Sequence, residues 1–415
     1  MSDTLKSRGS NPTGPAGARR GSSSGSARFA DRWLSLDDFE KAARRRLPRA
    51  LFGFIAGGAE REESLDANRS GFARYSLVPQ VLRDTSARSP AVRLFGREYA
   101  APFGIAPMGI VGLSAFRGDL ALARACQAAN VPMVLSAASV VPMEALRQAG
   151  AGWYQAYLPG DLGRIDALLD RVAAAGFEVL VVTVDVPVPA NRENNVRNGF
   201  SVPLKPSLSL AWDGITHPRW LLGTALRTLL QDGLPHFENM DAERGPAVVA
   251  RNVEARAGRR DRLTWEHISH IRRRWPKPLV LKGILRADDV SRARACGVDG
   301  LVVSNHGGRQ LDGALGPLRA LPAIKDAAGD LAVMLDGGIR RGTDVVKALA
   351  LGADFVLAGR PFNYAVALGG EGLVRFAIDL LVQEIDRTMA LVGAVDLADL
   401  DLTFVAGPNG PLPSG

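Results

Sequence analysis

Leu301-Val302-Val303-Ser304-Asn305-His306-Gly307-Gly308-Arg309-Gln310 is the stretch whose reading decides the fold. Its apolar opening predicts a strand, Leu301–His306, and the lack of apolar–polar alternation predicts burial on both faces. The run then breaks into a hydroxyl, an amide, an imidazole, two glycines and a guanidinium. The same kind of run recurs on either side of it. Phe103–Pro107, Pro132–Ala137, Trp153–Tyr157, Val179–Asp185 and Leu279–Gly283 precede it, and Ala332–Gly337 and Phe355–Gly359 follow. Helical patterns such as Asp119–Asn130, Arg164–Ala175, Asp288–Cys296 and Thr343–Leu351 separate these runs. Strand and helix alternating eight times predict an α/β fold, a single (β/α)8 TIM barrel.

Farther outward the pattern weakens. Residues 1–30 are rich in Gly, Ser, Pro and Arg and carry too little apolar area to fold, so they read as a disordered tail. No apolar segment follows Arg19-Arg20, which argues against a twin-arginine signal, and the Gly and Pro content favours a tail over an Arg- and Ser-rich transit peptide. Order is expected to begin near Leu36, where Asp37 and Asp38 stand in the first turn of a helix. A second helix should run from Pro48 to Ala56 and stop at Gly57-Gly58. The barrel domain is expected over 31–406, with a second tail over 407–415. About ninety residues separate strand four from strand five, far beyond an ordinary βα connection, so 190–262 reads as a variable insertion or lid. Its basic and apolar stretch His217–Leu222 packs over the barrel mouth or meets a membrane surface or partner.

Composition excludes several function classes. The formal net charge is +8, but half of that excess sits in residues 1–30 and no basic stripe carries interleaved aromatics, which excludes a nucleic-acid partner. Cys126 and Cys296 lie far apart with no CxxC spacing, so neither a zinc site nor a disulfide framework is expected, and a cytoplasmic location is. His267 and His270 are spaced as a helical pair with no third ligand in view, which reads as an exposed pair rather than a metal site. No apolar run reaches the roughly 18 residues of a transmembrane segment, leaving peripheral membrane contact open.

The chemistry is expected where the strands end, since a β/α barrel places its active site on that face. Strand four ends in Thr183-Val184-Asp185, strand five in Lys282-Gly283, strand seven in Asp336-Gly337-Gly338, and strand eight in Gly359-Arg360. One polar residue in such a place could be a satisfied core group; five strands ending this way argue for a site. His306 suits a general base near neutral pH, and Asp185 could fix its tautomer. Arg192 and Arg309 offer planar forks that match a carboxylate. Lys282 is a point charge suited to a developing anion. The glycines after strands seven and eight stand where barrels commonly hold a phosphate.

With these residues the chain resembles the FMN-dependent 2-hydroxy-acid oxidases and dehydrogenases, which include glycolate oxidase, lactate oxidase, mandelate dehydrogenase and hydroxymandelate oxidase. The resemblance rests on Ser304 to Gln310, on Leu281-Lys282-Gly283, on Asp336 to Gly342, and on Lys347 to Ala353 before Gly359-Arg360-Pro361. It implies oxidation of a 2-hydroxy acid to the 2-oxo acid with FMN as cofactor. It implies that His306 takes a substrate proton with Asp185 orienting it, that Arg192 and Arg309 hold the carboxylate, and that Tyr157 meets the hydroxyl. Lys282 would stand beside the flavin's pyrimidine edge. Pro107, Met108, Gly109, Ser136, Gln155, Thr183 and Ser304 would surround the ring, and Asp336, Gly338, Arg340, Gly359 and Arg360 the phosphate. A homotetramer or octamer is usual for the family.

Three positions depart from the pattern. Phe54 stands where a substrate-binding tyrosine is usual, and Ala138 replaces a bulky aromatic; together they imply a substrate larger than glycolate, aromatic or of medium chain. Gly109 matches mandelate dehydrogenase where oxidases carry alanine, which favours a quinone or other electron acceptor over oxygen. Met108, where threonine is common, has no explanation. Two other readings compete: an FMN barrel of different chemistry (an isomerase or a modified-peptide dehydrogenase), and a non-catalytic flavoprotein. The convergence of His306, Arg192 and Arg309 favours the hydroxy-acid reading.

Overall fold

The computed structural model describes residues 29–251, 258–407 and 410–411. The tail expected over 1–30 therefore lies outside the described residues except at Phe29 and Ala30. Of the tail expected over 407–415, only residues 407, 410 and 411 are described. There Val405–Gly407 pairs with Gly410–Pro411 on one side and with Ser76–Leu77 on the other.

Eight short runs form one parallel sheet: β1 Phe103–Ile105, β2 Val134–Ser136, β3 Trp153–Ala156, β4 Val179–Thr183, β5 Leu279–Ile284, β6 Gly300–Val303, β7 Ala332–Asp336 and β8 Phe355–Ala358. Each overlaps a run expected from sequence, with β5 reaching one residue past its run and β6 starting one residue before its run. Consecutive strands are neighbours, β8 pairs with β1, and a bridge between Ile105 and Met133 brings β1 to β2 and closes the ring. Nearly every strand residue is buried, because one face fills the barrel and the other packs under helices. Val181, Val280, Val302, Met334 and Leu357 are among the residues filling the interior. At the N-terminal end the hairpin Val92–Leu94 and Arg97–Tyr99 caps it, with Tyr99 Oη accepting from Trp153 Nε1 at 3.1 Å. A filled barrel leaves the C-terminal rim as the place for a site.

Three helices precede the barrel: α1 Leu36–Arg46, α2 Arg49–Ala56 and α3 Glu63–Ala73. At the start of α1 the Asp38 carboxylate accepts from the Ser35 N–H at 3.0 Å, and α2 stops at Gly57 as expected. The helices at Gly118–Ala129, Leu162–Ala174, Ala287–Ala295 and Gly342–Ala350 fall within two residues of their sequence patterns. A last helical segment, Arg360–Val392, bends at Gly369 and Gly370 and packs on α1.

The described part of the insertion holds a helix at Glu193–Arg197, another at Leu208–Ile215, and a helical run from Pro218 to Gln231 that contains a π-helical turn. Trp220 ties that run to the barrel, its Nε1 donating to Leu113 O at 2.8 Å. Residues 237–241 form a second tie: Asn239 Oδ1 accepts from the Met143 N–H at 2.8 Å, and Asn239 Nδ2 donates to Val141 O at 2.8 Å. Cys126 and Cys296 are buried free thiols. Among the described residues no group of three metal-ligating side chains converges, and no helix is long and apolar enough to cross a membrane. The histidine pair expected to be exposed is otherwise engaged. His267 Nδ1 caps its own helix at Thr264, while His270 is partly buried with Nε2 2.7 Å from Asp166 Oδ1.

Candidate active site

A cavity of about 650 Å³ opens at the C-terminal rim. His306, Lys282, Tyr157, Arg192 and Arg309 all line it, as do Phe54, Ala138 and the run from Pro107 to Gly109.

His306 stands at the sharp turn after β6. It adopts a left-handed φ of 59°, and Gly307 and Gly308 continue left-handed at 65° and 73°. Only glycine suits the third position, since a Cβ there would lie 2.5 Å from the Leu65 nitrogen. The turn is locked from within: Ser304 Oγ accepts from the His306 N–H at 2.9 Å, and Asn305 Oδ1 from the Gly308 N–H at 3.1 Å. The imidazole Nδ1 lies 3.0 Å from Asp185 Oδ1, and Nε2 lies 3.3 Å from the Tyr157 hydroxyl. Burial lowers the proton affinity of His306, Lys282 and Arg192 lower it further, and Asp185 opposes them without prevailing. The ring is therefore neutral at neutral pH, with Nε2 free to accept a proton and Nδ1–H directed at the carboxylate. For Asp185 burial works against ionisation, but His306 and Lys282 outweigh it and hold its carboxyl below the ordinary range.

Lys282, Ser304 and Asp336 tie three neighbouring strands together at their ends. Lys282 Nζ is 2.6 Å from Asp336 Oδ2 and 2.9 Å from Ser304 Oγ, which donates to the same Oδ2 at 3.0 Å. Burial alone would discharge the lysine; Asp336 and Asp185 overcome it and raise its proton affinity.

Two guanidinium groups use the carbonyl end of α2. Arg309 Nη1 donates to Phe54 O at 2.7 Å and Gly57 O at 2.8 Å, and Arg360 donates to Ile55 O at 2.9 Å and Gly57 O at 3.0 Å. Helix C-termini leave such carbonyls without internal partners, and cations suit them. Arg192 is held by Arg309 O at 3.0 Å and Gln310 Oε1 at 2.8 Å. Both carboxylate-matching forks are thus fixed on the wall that bears His306. The Phe54 ring stacks on Phe200 with centroids 4.4 Å apart, and the Arg309 guanidinium carbon lies 4.9 Å from its centroid.

Sequence reasoning missed several residues of this wall. Asn68 and Asn305 exchange amide hydrogen bonds of 2.7 and 2.8 Å and pin α3 beneath the His306 turn. Gln310 belonged to the decisive stretch, but its hold on Arg192 depends on a long-range contact. Phe200, Phe237, Met240 and Arg260 enter from the insertion, which its length marked as a lid over the barrel mouth without singling out these residues.

A family model described as FMN-dependent dehydrogenase matches residues 43–406. The chain belongs to the FMN-dependent dehydrogenase family. The L-lactate dehydrogenase of Caulobacter vibrioides (strain NA1000 / CB15N) is 42% identical over 388 residues, covering 90% of this chain and 97% of that protein. That of Stenotrophomonas maltophilia (strain R551-3) is 42% identical over 369 residues, covering 88% and 96%. Among solved structures, the monotopic membrane protein (S)-mandelate dehydrogenase superposes with a TM-score of 0.84 at 35% identity, over 91% of this chain and all of that one. A mandelate oxidase with benzoyl-formic acid gives 0.74 at 37% identity, over 89% and 97%.

As an FMN-dependent dehydrogenase the chain is a flavin oxidoreductase, and its buried polar atoms fit that cofactor. Gln155 Nε2 and Thr183 Oγ1, at the ends of β3 and β4, are buried without a hydrogen-bond partner. They stand beside Ser136 and Lys282, with which their strands are in register. Buried donors without partners are rare and imply a ligand. Arg340, buried and following the left-handed pair Gly337-Gly338, lines the cavity with Gly359 and has an Nε without a hydrogen-bond partner, Asp37 Oδ1 lying 3.9 Å away. A ring with polar edges at one end and a phosphate at the other meets both demands.

Proposed function

We propose that His306 is the base with which this FMN-dependent enzyme oxidises a 2-hydroxy acid larger than glycolate to its 2-oxo acid. The observation that carries the reading is the convergence of an imidazole and two anchored guanidinium forks on one cavity wall. Arg309 and Arg192 hold the substrate carboxylate, which places the hydroxyl-bearing carbon against His306 Nε2 and the Tyr157 hydroxyl. Nε2 takes one substrate proton, and Asp185 steadies the resulting imidazolium. FMN, when bound, would supply the acceptor for the two electrons and the remaining proton that the alcohol loses. Lys282, Ser136, Gln155, Thr183 and Ser304 are assigned to the flavin ring, with Pro107, Met108 and Gly109 along it. Asp336 stays with Lys282 and Ser304, while Gly338, Arg340, Gly359 and Arg360 surround the phosphate.

Substrate size follows from Ala138 and Phe54, which leave the rim open and lined by carbon. A quinone or another acceptor, rather than oxygen, is favoured by Gly109, where the resemblance gives mandelate dehydrogenase a glycine and the oxidases an alanine. The insertion supports peripheral contact with an anionic membrane surface. Its helices expose Leu208, Trp212, Leu222 and Leu230 beside the exposed arginines Arg219 and Arg227; the L-lactate and mandelate enzymes above set a precedent for the reactant, and the monotopic (S)-mandelate dehydrogenase for the surface.

The test is an anaerobic titration of the yellow protein with lactate, mandelate and longer 2-hydroxy acids, followed by addition of a quinone analogue or oxygen. Bleaching of the flavin by the larger acids and faster recovery with the quinone are expected. Failure of every 2-hydroxy acid to bleach it would overturn the reading.

A further inference from the structure

One cation in the cavity has no task in the reaction as derived. Arg260 opens the short 3-10 turn Arg260–Arg262 at the end of the insertion and lines the same cavity as His306, Arg192 and Arg309. Its guanidinium carbon lies 4.6 Å from the centroid of the Tyr157 ring, the ring whose hydroxyl meets His306. Its Nε is buried without a hydrogen-bond partner, and among the described residues no carboxylate pairs with it. Burial lowers its proton affinity, as a guanidinium taken from water without a counter-charge requires. Stacking on one aromatic ring returns only part of that cost.

Its place is nonetheless built. Gly160, in the loop after β3, donates its N–H to Arg259 O at 3.1 Å. A Cβ on Gly160 would lie 2.4 Å from the Arg262 Cβ, so a residue with no side chain lets this turn press against the barrel. Met108, Ala138, Phe200, Phe237 and Met240 add apolar surface to the same cavity. A substrate with its carboxylate on Arg192 and Arg309 and its alcohol carbon at His306 and the Tyr157 hydroxyl has Arg260, which stands over that same ring, as a neighbouring cation in the cavity. A partly buried cation without a carboxylate partner costs stability until an anion reaches it, and a planar guanidinium is matched by a carboxylate.

We infer that Arg260 binds a second carboxylate at the far end of the substrate, so that the preferred substrates are 2-hydroxy dicarboxylates. This rests on the reading of His306 and the two forks, and narrows the substrate class at that site.

The probes are 2-hydroxyglutarate and 2-hydroxypentanoate, chains of equal length in which a terminal carboxylate replaces a methyl group. Anaerobic flavin reduction gives kcat/KM for each, in the wild-type protein and in Arg260→Met and Arg260→Lys. The wild-type ratio is expected to favour 2-hydroxyglutarate by about tenfold or more. Arg260→Met should cut that ratio by about ten- to a hundredfold, the range for one charge-assisted pair, and Arg260→Lys should keep part of it. Binding of 2-oxoglutarate against 2-oxopentanoate, read from the flavin absorbance, should follow the same order. A wild-type preference for 2-hydroxypentanoate overturns the inference. So does an Arg260→Met variant that slows both acids alike, the mark of a guanidinium that only positions Tyr157. Bleaching by 2-hydroxypentanoate alone overturns this inference and leaves His306 in its role; bleaching by no 2-hydroxy acid overturns both.

Discussion

His306 lies 3.0 Å from the Asp185 carboxylate, yet burial keeps the ring neutral. Its folded-state affinity for protons is below the ordinary histidine value, so a rate that needs the neutral ring is flat across neutral pH. It falls only as pH drops through that lowered value. Asp185 is the group that pulls the value up, so Asp185→Asn should move the acid limb of kcat/KM to still lower pH. The same change should lower the plateau on the order of 100-fold, because the imidazolium loses its counter-charge and its tautomer is no longer fixed. An acid limb that stays in place or moves upward would show that Asp185 does not act through His306. The His306 turn was legible in sequence because three chemistry-bearing residue types follow an apolar run. The Asn68–Asn305 exchange beneath it was not, since two amides far apart in the chain carry no pattern until the chain is folded.

Elements set these side chains by register. Lys282 on β5, Ser304 after β6 and Asp336 on β7 meet because three parallel strands end at one level. Lys282→Met would strand the Asp336 carboxylate in a dry place, a loss of about 3–5 kcal/mol. Urea unfolding should show that loss, and adding Asp336→Asn should recover part of it; equal stability of Lys282→Met and wild type would mean that the pair bears no load. The eight strands were legible as apolar runs because burial on both faces removes polar residues from them. Seven of their C-terminal ends were read one to three residues too long, since the residues that finish those runs belong to rim loops, while β5 runs one residue past its expected end. The insertion was legible as a lid from its length and from His217–Leu222, but not residue by residue. Its residues at the cavity, Phe200, Phe237, Met240 and Arg260, come from irregular segments whose direction no periodicity encodes.

At the scale of the molecule, the insertion is both wall and outer surface. Trp220 faces the barrel while Leu208, Leu222 and Leu230 are 92%, 64% and 85% exposed. With Arg219 and Arg227 beside them, the purified protein should float with vesicles containing anionic phospholipid and remain behind with neutral ones. The double substitution Leu222→Glu and Leu230→Glu should abolish flotation while leaving flavin content unchanged. Equal recovery of wild type and double variant with anionic vesicles would remove the membrane from the account.

The imidazole above the flavin site is the claim on which the chemistry depends, and stopped-flow mixing of His306→Ala with a bleaching 2-hydroxy acid, without oxygen, reaches it most directly. Flavin reduction should slow by about 100- to 10,000-fold while the acid still perturbs the flavin spectrum on binding. Reduction at the wild-type rate would contradict the account.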